Sequence, residues 1–213
     1  MRPTCLRCLR PEPFCLCREL PSIPSATKVV LLQHPREARL AICTAWMAHL
    51  ALPSSELYRG VEFGGHARVE ELCASGDAAL LFPGDGAVPA EERAAAPPRV
   101  LFVIDGTWHL AAKMVKVNPA LAALPRISLS PSQPSGYAGL RREPAAHCLS
   151  TIEAVALALA ALERAPAKYE PLREAFRRSV ARQLACVEDG RRAPRHRSRP
   201  APPGSYPSST SSR

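Results

Sequence analysis

The sequence predicts an α/β fold: a mostly parallel sheet flanked by helices, with a small metal-binding knob at its N-terminal side. Three observations carry this expectation. Runs such as Lys28-Val29-Val30-Leu31-Leu32 and Val100-Leu101-Phe102-Val103-Ile104 are apolar at consecutive positions, as strands covered on both faces are. These runs alternate with segments of helical periodicity. Four cysteines stand within the first seventeen residues, too closely spaced for a random scatter. The 213 residues, 46% apolar and 22% charged, suffice for one real core and exclude wholesale disorder.

Taken in order, residues 1–22 form the Cys- and Pro-rich knob. The strand at residues 28–32 stops at Gln33-His34-Pro35, where Pro35 holds His34 out of the helical region. A helical pattern runs from residue 36 to about residue 52 and closes at Pro53. Residues 78–82 make a short buried strand ended by Pro83-Gly84-Asp85-Gly86. Residues 87–99 read as a Pro/Ala/Glu linker. The most apolar strand, residues 100–104, is turned by Asp105-Gly106-Thr107 into a helix starting near Trp108. Residues 126–129 make a further strand, and residues 130–144 a Pro/Ser/Gly-rich loop. Helices follow over residues 150–163 and 171–187; Leu172, Phe176, Val180 and Leu184 line one face of the second, and Gly190 stops it. The predicted division is therefore a knob at 1–22, an α/β domain at 23–189, and a disordered basic tail at 190–213.

Charge is concentrated at the ends. The net charge is +9; the segment 190–213 holds six arginines and no acid, and residues 1–18 hold four arginines against Glu12. The body between them is neutral, so the appendages are the parts suited to a polyanion such as nucleic acid. The alternative is a tail that only solubilises. No run reaches the ~18 apolar residues of a membrane span, and no signal peptide is visible, so a soluble, cytoplasmic protein without a membrane is expected.

Cys5-x2-Cys8 followed by Cys15-x-Cys17 suits a structural zinc ion, since four thiolates fill a tetrahedron and leave no open position. A disulfide framework is the rival, but a reducing compartment and the closeness of Cys15 to Cys17 disfavour it. Cys43, Cys73, Cys148 and Cys186 read as small buried hydrophobes. In α/β sheets ligands sit beyond the carboxyl ends of strands. Three unusual loops, at residues 33–37, 83–86 and 105–108, should therefore converge there. On physics alone Asp105 is either a reactive carboxylate or a helix N-cap, and His34 either a site residue or a structural histidine. No dinucleotide fingerprint or P-loop is present.

The ordered set is more specific than its parts. Cys5-x2-Cys8-x6-Cys15-x-Cys17, Gln33-His34-Pro35-Arg36-Glu37, Leu81-Phe82-Pro83-Gly84, Asp105-Gly106-Thr107-Trp108, Tyr137-x2-Leu140-Arg141-x-Glu143-Pro144 and Ser150-Thr151-Ile152-Glu153-Ala154 follow one another. This set resembles the DTW-domain family, tRNA-uridine aminocarboxypropyltransferases, over about residues 5–187. The resemblance implies transfer of the 3-amino-3-carboxypropyl group of S-adenosylmethionine to N3 of a tRNA uridine, with release of methylthioadenosine. It also implies a SPOUT-like fold with a trefoil knot. Uridine N3 attacks poorly until it loses its proton, so a general base is wanted, and Asp105, expected to be exposed on its turn, is the candidate. By analogy with the knotted relatives, Phe82, Pro83, Gly84, Thr107, Trp108 and Leu140 would hold the cofactor. Arg141 would pair with its carboxylate or with a phosphate. Ser150 and Thr151, at a helix start, would receive an anionic group, or would only cap the helix through a capping box with Glu153. His34 and Arg36 would meet the RNA. Methyl transfer from the same cofactor, and a non-catalytic zinc-knuckle RNA-binding module, are the alternatives. No obligate protein partner is evident in the sequence.

Overall fold

A computed structural model describes residues 3, 5–8, 12, 15–39, 43–130, 135–137 and 149–188. Six parallel strands form one sheet in the order β2-β1-β5-β3-β6-β4. They are β1 (Lys28–Gln33), β2 (Glu56–Arg59), β3 (Ala78–Leu81), β4 (Val88–Pro89), β5 (Val100–Asp105) and β6 (Arg126–Ser128). The three runs with the most continuous apolar sequence, β1, β5 and β3, are adjacent in the middle of the sheet. That is where both faces are covered and every second residue cannot be polar.

Alternation along these strands divides the core in two. Val29, Leu31, Leu101, Val103 and Ala79 face α1 (Thr44–Ala51), α3 (Ala90–Arg93), α6 (Thr151–Leu162) and α7 (Pro166–Glu188). Val30, Leu32, Phe102 and Leu80 face α2 (Ala67–Cys73), α4 (Trp108–Val117) and α5 (Pro119–Ala122). The predicted architecture, helices on both faces of a parallel sheet, is the one observed.

Four local expectations are corrected. The helix expected from residue 36 is a 3-10 turn at Glu37–Arg39, followed by α1 only from Thr44. The expected linker at 87–99 contains the edge strand β4 and the short helix α3. Pro89 is tolerated in β4 because that strand has a neighbour on one side only. The last helix begins at Pro166 and carries Pro171 within it, rather than starting there. Asp105 is not an exposed turn residue: it is the last residue of β5 and is 5% exposed.

The knob packs onto the body. Leu16 and Ile23 belong to the same core as α1, α6 and α7. Arg182 of α7 donates to the Cys15 carbonyl at 3.1 Å and pairs with Glu19, and Arg7 reaches the Leu50 carbonyl at 3.4 Å. Among the described residues no helix is long and apolar enough to cross a membrane. The tail at 190–213 and its basic charge lie outside the described residues. So do residues 131–134 and 138–148, most of the loop expected at 130–144.

Candidate functional site

Parallel strands all deliver their carboxyl ends to the same edge of the sheet, so β1, β2 and β5 place their last residues side by side, and β3 ends beside them with Leu81 level with Val103. Register aligns Gln33 with Asp105 on one side and with Arg59 on the other. A polar residue at the end of an otherwise apolar strand needs partners when buried, and Gln33 is fully buried. Its amide nitrogen donates to Asp105 Oδ2 at 2.8 Å and to Cys43 Sγ at 3.0 Å. Its amide oxygen accepts from Arg59 Nε at 3.0 Å.

The other oxygen of Asp105 accepts a 2.5 Å hydrogen bond from the Thr151 hydroxyl at the start of α6. The carboxylate is thus oriented by β1 and α6 together. The N-cap position of α4 is held by Thr107, two residues after Asp105, and Thr107 makes no side-chain capping bond. Gly106 brings the turn close against α4, where a Cβ would stand 3.3 Å from the Ala111 nitrogen.

His34 follows Gln33 and donates its backbone N–H to the Asp105 carbonyl at 2.9 Å. Its Nδ1 accepts from the Arg36 backbone N–H at 3.1 Å, which leaves the ring proton on Nε2. Burial, reinforced by the charges of Arg36 and Lys113, pushes the His34 pKa down, so the ring is held neutral. His34 is 8% exposed, whereas Arg36 is exposed; of the two expected RNA contacts, only Arg36 stands open at the surface.

The loops after β3 and β5 also meet. The rings of Phe82 and Trp108 lie 5.9 Å apart, and the Arg126 guanidinium covers Phe82 at 6.0 Å. Trp108 remains 38% exposed. Pro83 and Gly84 are exposed on the same rim, and Gly84 has φ of 139°, a conformation that glycine adopts freely. An accessible indole and a nearby carboxylate are groups toward which a cationic ligand is attracted. The convergence of three loops expected from the sequence is therefore present.

At the start of α6, Ser150 makes the capping box with Glu153. Glu153 also accepts from the Ser135 hydroxyl at 2.6 Å and the Gly136 N–H at 2.8 Å, tying that loop to the helix. The Ser150 hydroxyl is thereby committed to the cap, and that of Thr151 to Asp105. Leu140 and Arg141 lie outside the described residues. Sequence reasoning gave no role to Gln33, Arg59 or Lys113. Gln33 was signalled as an amide ending an apolar strand and as the first residue of the Gln33-His34-Pro35-Arg36-Glu37 motif; Arg59 gave no signal, because β2 was not recognised.

In the knob, the sulfurs of Cys5, Cys8, Cys15 and Cys17 all lie within 4.8 Å of one another. Cys5 and Cys17 are 3.9 Å apart, against roughly 3.8 Å between thiolates that share a tetrahedral zinc at ~2.3 Å. Backbone N–H groups of Cys8 and Arg7 lower the Cys5 thiol to about 6, while burial pushes that of Cys17 up. The Cys17 N–H donates to Cys15 Sγ at 3.5 Å. Four convergent sulfurs, unbridged, with backbone donors behind them, fit a structural zinc. Cys43 is buried and accepts from the Gln33 amide, and Cys73 is half-buried, with burial raising its thiol to about 11. Cys148 lies outside the described residues, as does the side chain of Cys186.

None of the solved structures matches this chain. Among curated proteins, it is similar to tRNA-uridine aminocarboxypropyltransferase 2 of Drosophila melanogaster, 37% identical over 173 residues, which cover 78% of this chain and 68% of that one. The Mus musculus protein of the same name is 33% identical over 172 residues, 76% of this chain and 57% of its own. The chain thus spans little more than half the length of that relative. tRNA-uridine aminocarboxypropyltransferase A of Arabidopsis thaliana is 30% identical over 203 residues, 76% of this chain and 73% of its own. The family model described as the DTW domain matches residues 2–184. Motif order, strand-end geometry and this match lead to one conclusion: the chain belongs to the DTW-domain family.

Proposed function

We propose that the chain transfers the 3-amino-3-carboxypropyl group of S-adenosylmethionine to N3 of a tRNA uridine, releasing methylthioadenosine. The observation that carries this reading is Asp105, a carboxylate fixed by Gln33 and Thr151 at the end of the central strand. The cosubstrate supplies an electrophilic carbon on a sulfonium; what remains for the protein is orientation and removal of the N3 proton. Asp105 accepts that proton from the uridine as the new C–N bond forms. Phe82, Pro83, Gly84, Thr107 and Trp108 form the rim that suits the cationic cosubstrate. Leu140 and Arg141 complete it on the strength of the resemblance. Ser150 and Thr151 contribute beneath the carboxylate, by ordering the start of α6.

In this reading Cys5, Cys8, Cys15 and Cys17 hold a structural zinc in the knob, residues 1–22. Residues 23–189 carry the chemistry, in the knotted topology the resemblance implies. The basic segment 190–213 and Arg36 favour tRNA through phosphate neutralisation, while His34, buried and neutral, adds no charge and meets the RNA only by a hydrogen bond. A site of four zinc-binding thiolates suits the reducing conditions of a cytoplasmic location.

The test is incubation with unmodified tRNA and S-adenosylmethionine, followed by mass spectrometry of nucleosides and small products. The expected pair is acp-modified uridine and methylthioadenosine. S-adenosylhomocysteine with a methylated nucleoside would assign methyl transfer instead. RNA binding with neither product would reduce the chain to a binding module.

A further inference from the structure

We propose that Arg59 is a phosphate contact for the RNA substrate: its guanidinium, held in place by Gln33 and Trp46, binds one backbone phosphate beside the nucleotide that reacts at Asp105. This rests on the tRNA-modifying reading above and adds to it a residue and the group it recognises.

Arg59 ends the edge strand β2 and is exposed. An exposed arginine is ordinarily a mobile group, costly to order on binding. This one is fixed at two points. Nε donates to Gln33 Oε1 at 3.0 Å, and the guanidinium carbon lies 5.5 Å from the Trp46 ring centroid. Among the described residues no carboxylate pairs with it, unlike Arg68, Arg177 and Arg182, which all hold acids. Its two terminal nitrogens are left for a ligand with two oxygens, the geometry in which arginine binds phosphate most firmly.

The strand order says which oxyanion. Asp105 ends β5; the loops bearing Phe82 and Trp108 follow β3 and β5, on one side of it. Arg59 lies two strands away on the opposite side, about 10 Å at the usual strand spacing. A nucleotide with its base edge at Asp105 bridges such a separation with its phosphate. Arg36 and Lys113, both exposed and both acting on His34, add positive charge to this same side. The carboxylate of S-adenosylmethionine has the same chemistry, but its proposed rim is on the far side.

The experiment measures binding of an unmodified tRNA transcript to the full-length chain across a salt series, for the wild type, R59Q and R59K. Calorimetric titration of S-adenosylmethionine runs alongside, and melting curves check that the surface substitutions leave the fold intact. R59Q should weaken transcript binding about fivefold near 0.1 M salt and reduce the log–log salt slope by about 0.7–0.9, the loss of one phosphate contact. Cosubstrate affinity should not move. R59K keeps the charge but loses the Nε donor to Gln33, so it should restore the slope and only part of the affinity. An unchanged slope in R59Q overturns this proposal while leaving the proposed function standing. Weaker cosubstrate binding with normal transcript binding assigns Arg59 to the carboxylate and overturns it equally. A wild type that binds no transcript overturns both.

Discussion

Gln33 and Asp105 are joined twice: as register partners on the last rung between β1 and β5, and through a 2.8 Å hydrogen bond from the Gln33 amide to Asp105 Oδ2. The second link depends on the first. Parallel register places the two side chains at one height, and the central position of both strands buries them. Asp105 can therefore present its carboxylate at the sheet's edge without freedom to rotate. A base must be within hydrogen-bond reach and correctly aimed before its basicity matters.

Asp105→Asn tests that role. An asparagine can keep its oxygen toward the Gln33 amide and turn its NH2 to Thr151, whose hydroxyl then accepts instead. The variant should fold, with a cost of about 1–3 kcal/mol for the lost charge-assisted bonds. Turnover of the acp transfer should fall roughly 10²–10⁴-fold, with S-adenosylmethionine affinity within a few fold. Near-normal single-turnover rates would remove Asp105 from the chemistry and leave it a purely structural residue.

Cys17→Ser should abolish stoichiometric zinc, read by metal analysis of protein purified without chelator. The consequence should reach beyond the knob, because Leu16 sits in the main core and Arg182 holds the Cys15 carbonyl. Freeing one such side chain is worth about 1.5–3 kcal/mol, a fall in Tm of roughly 3–10 °C for a chain of this size. An unchanged Tm with zinc absent would show that the knob's anchoring does not depend on the metal.

Stability should also depend on pH through Glu56. Arg68, Lys28 and Tyr58 all donate to its carboxylate, and Arg68 contributes most to holding its pKa down at about 2. A carboxyl lowered on folding stabilises the native state above its unfolded pKa, near 4.5, and loses that contribution as pH falls toward 2. Glu56→Gln should therefore lower Tm at pH 7, and the gap from wild type should close between pH 4.5 and 2. A gap independent of pH would mean that the pair contributes through packing alone.

What the sequence disclosed follows from where each residue sits. β1, β3 and β5 were legible because central strands must be apolar on both faces. β2 was not: Glu56-Leu57-Tyr58-Arg59 lies at an edge, where polar side chains reach water, and no apolar run marks it. β4 was hidden by Pro89, and α2 by a histidine N-cap, His66, whose ring accepts from Val69 N–H. The strand-end loops were legible as motifs, and their convergence followed from the parallel sheet. The partners of Asp105 were not, because Gln33 and Thr151 are 118 residues apart in sequence and meet it only through strand register and the placement of α6. The missed β2 took Arg59 with it.

Thr151 offers the last discrimination, between holding the carboxylate and touching the cosubstrate directly. Its hydroxyl donates to Asp105 Oδ1 at 2.5 Å from the first residue of α6, just after the Ser150–Glu153 capping box. Thr151→Val keeps the shape and removes only the donor; Thr151→Ser keeps the donor and removes a methyl group. If the hydroxyl orients Asp105, Val should cut turnover by about 10-fold or more, an amount matching the ~1.5–3 kcal/mol of a hydrogen bond to a charged group, and Ser should restore most of it. S-adenosylmethionine affinity should be similar in all three proteins, so kcat and cosubstrate Kd part company. The capping box is untouched by either change, which keeps α6 folded and makes circular dichroism a fair control. A Val variant that loses cosubstrate affinity in proportion to rate would place the hydroxyl on the cosubstrate instead. A Val variant with full turnover would show that the Gln33 amide alone suffices to aim the carboxylate.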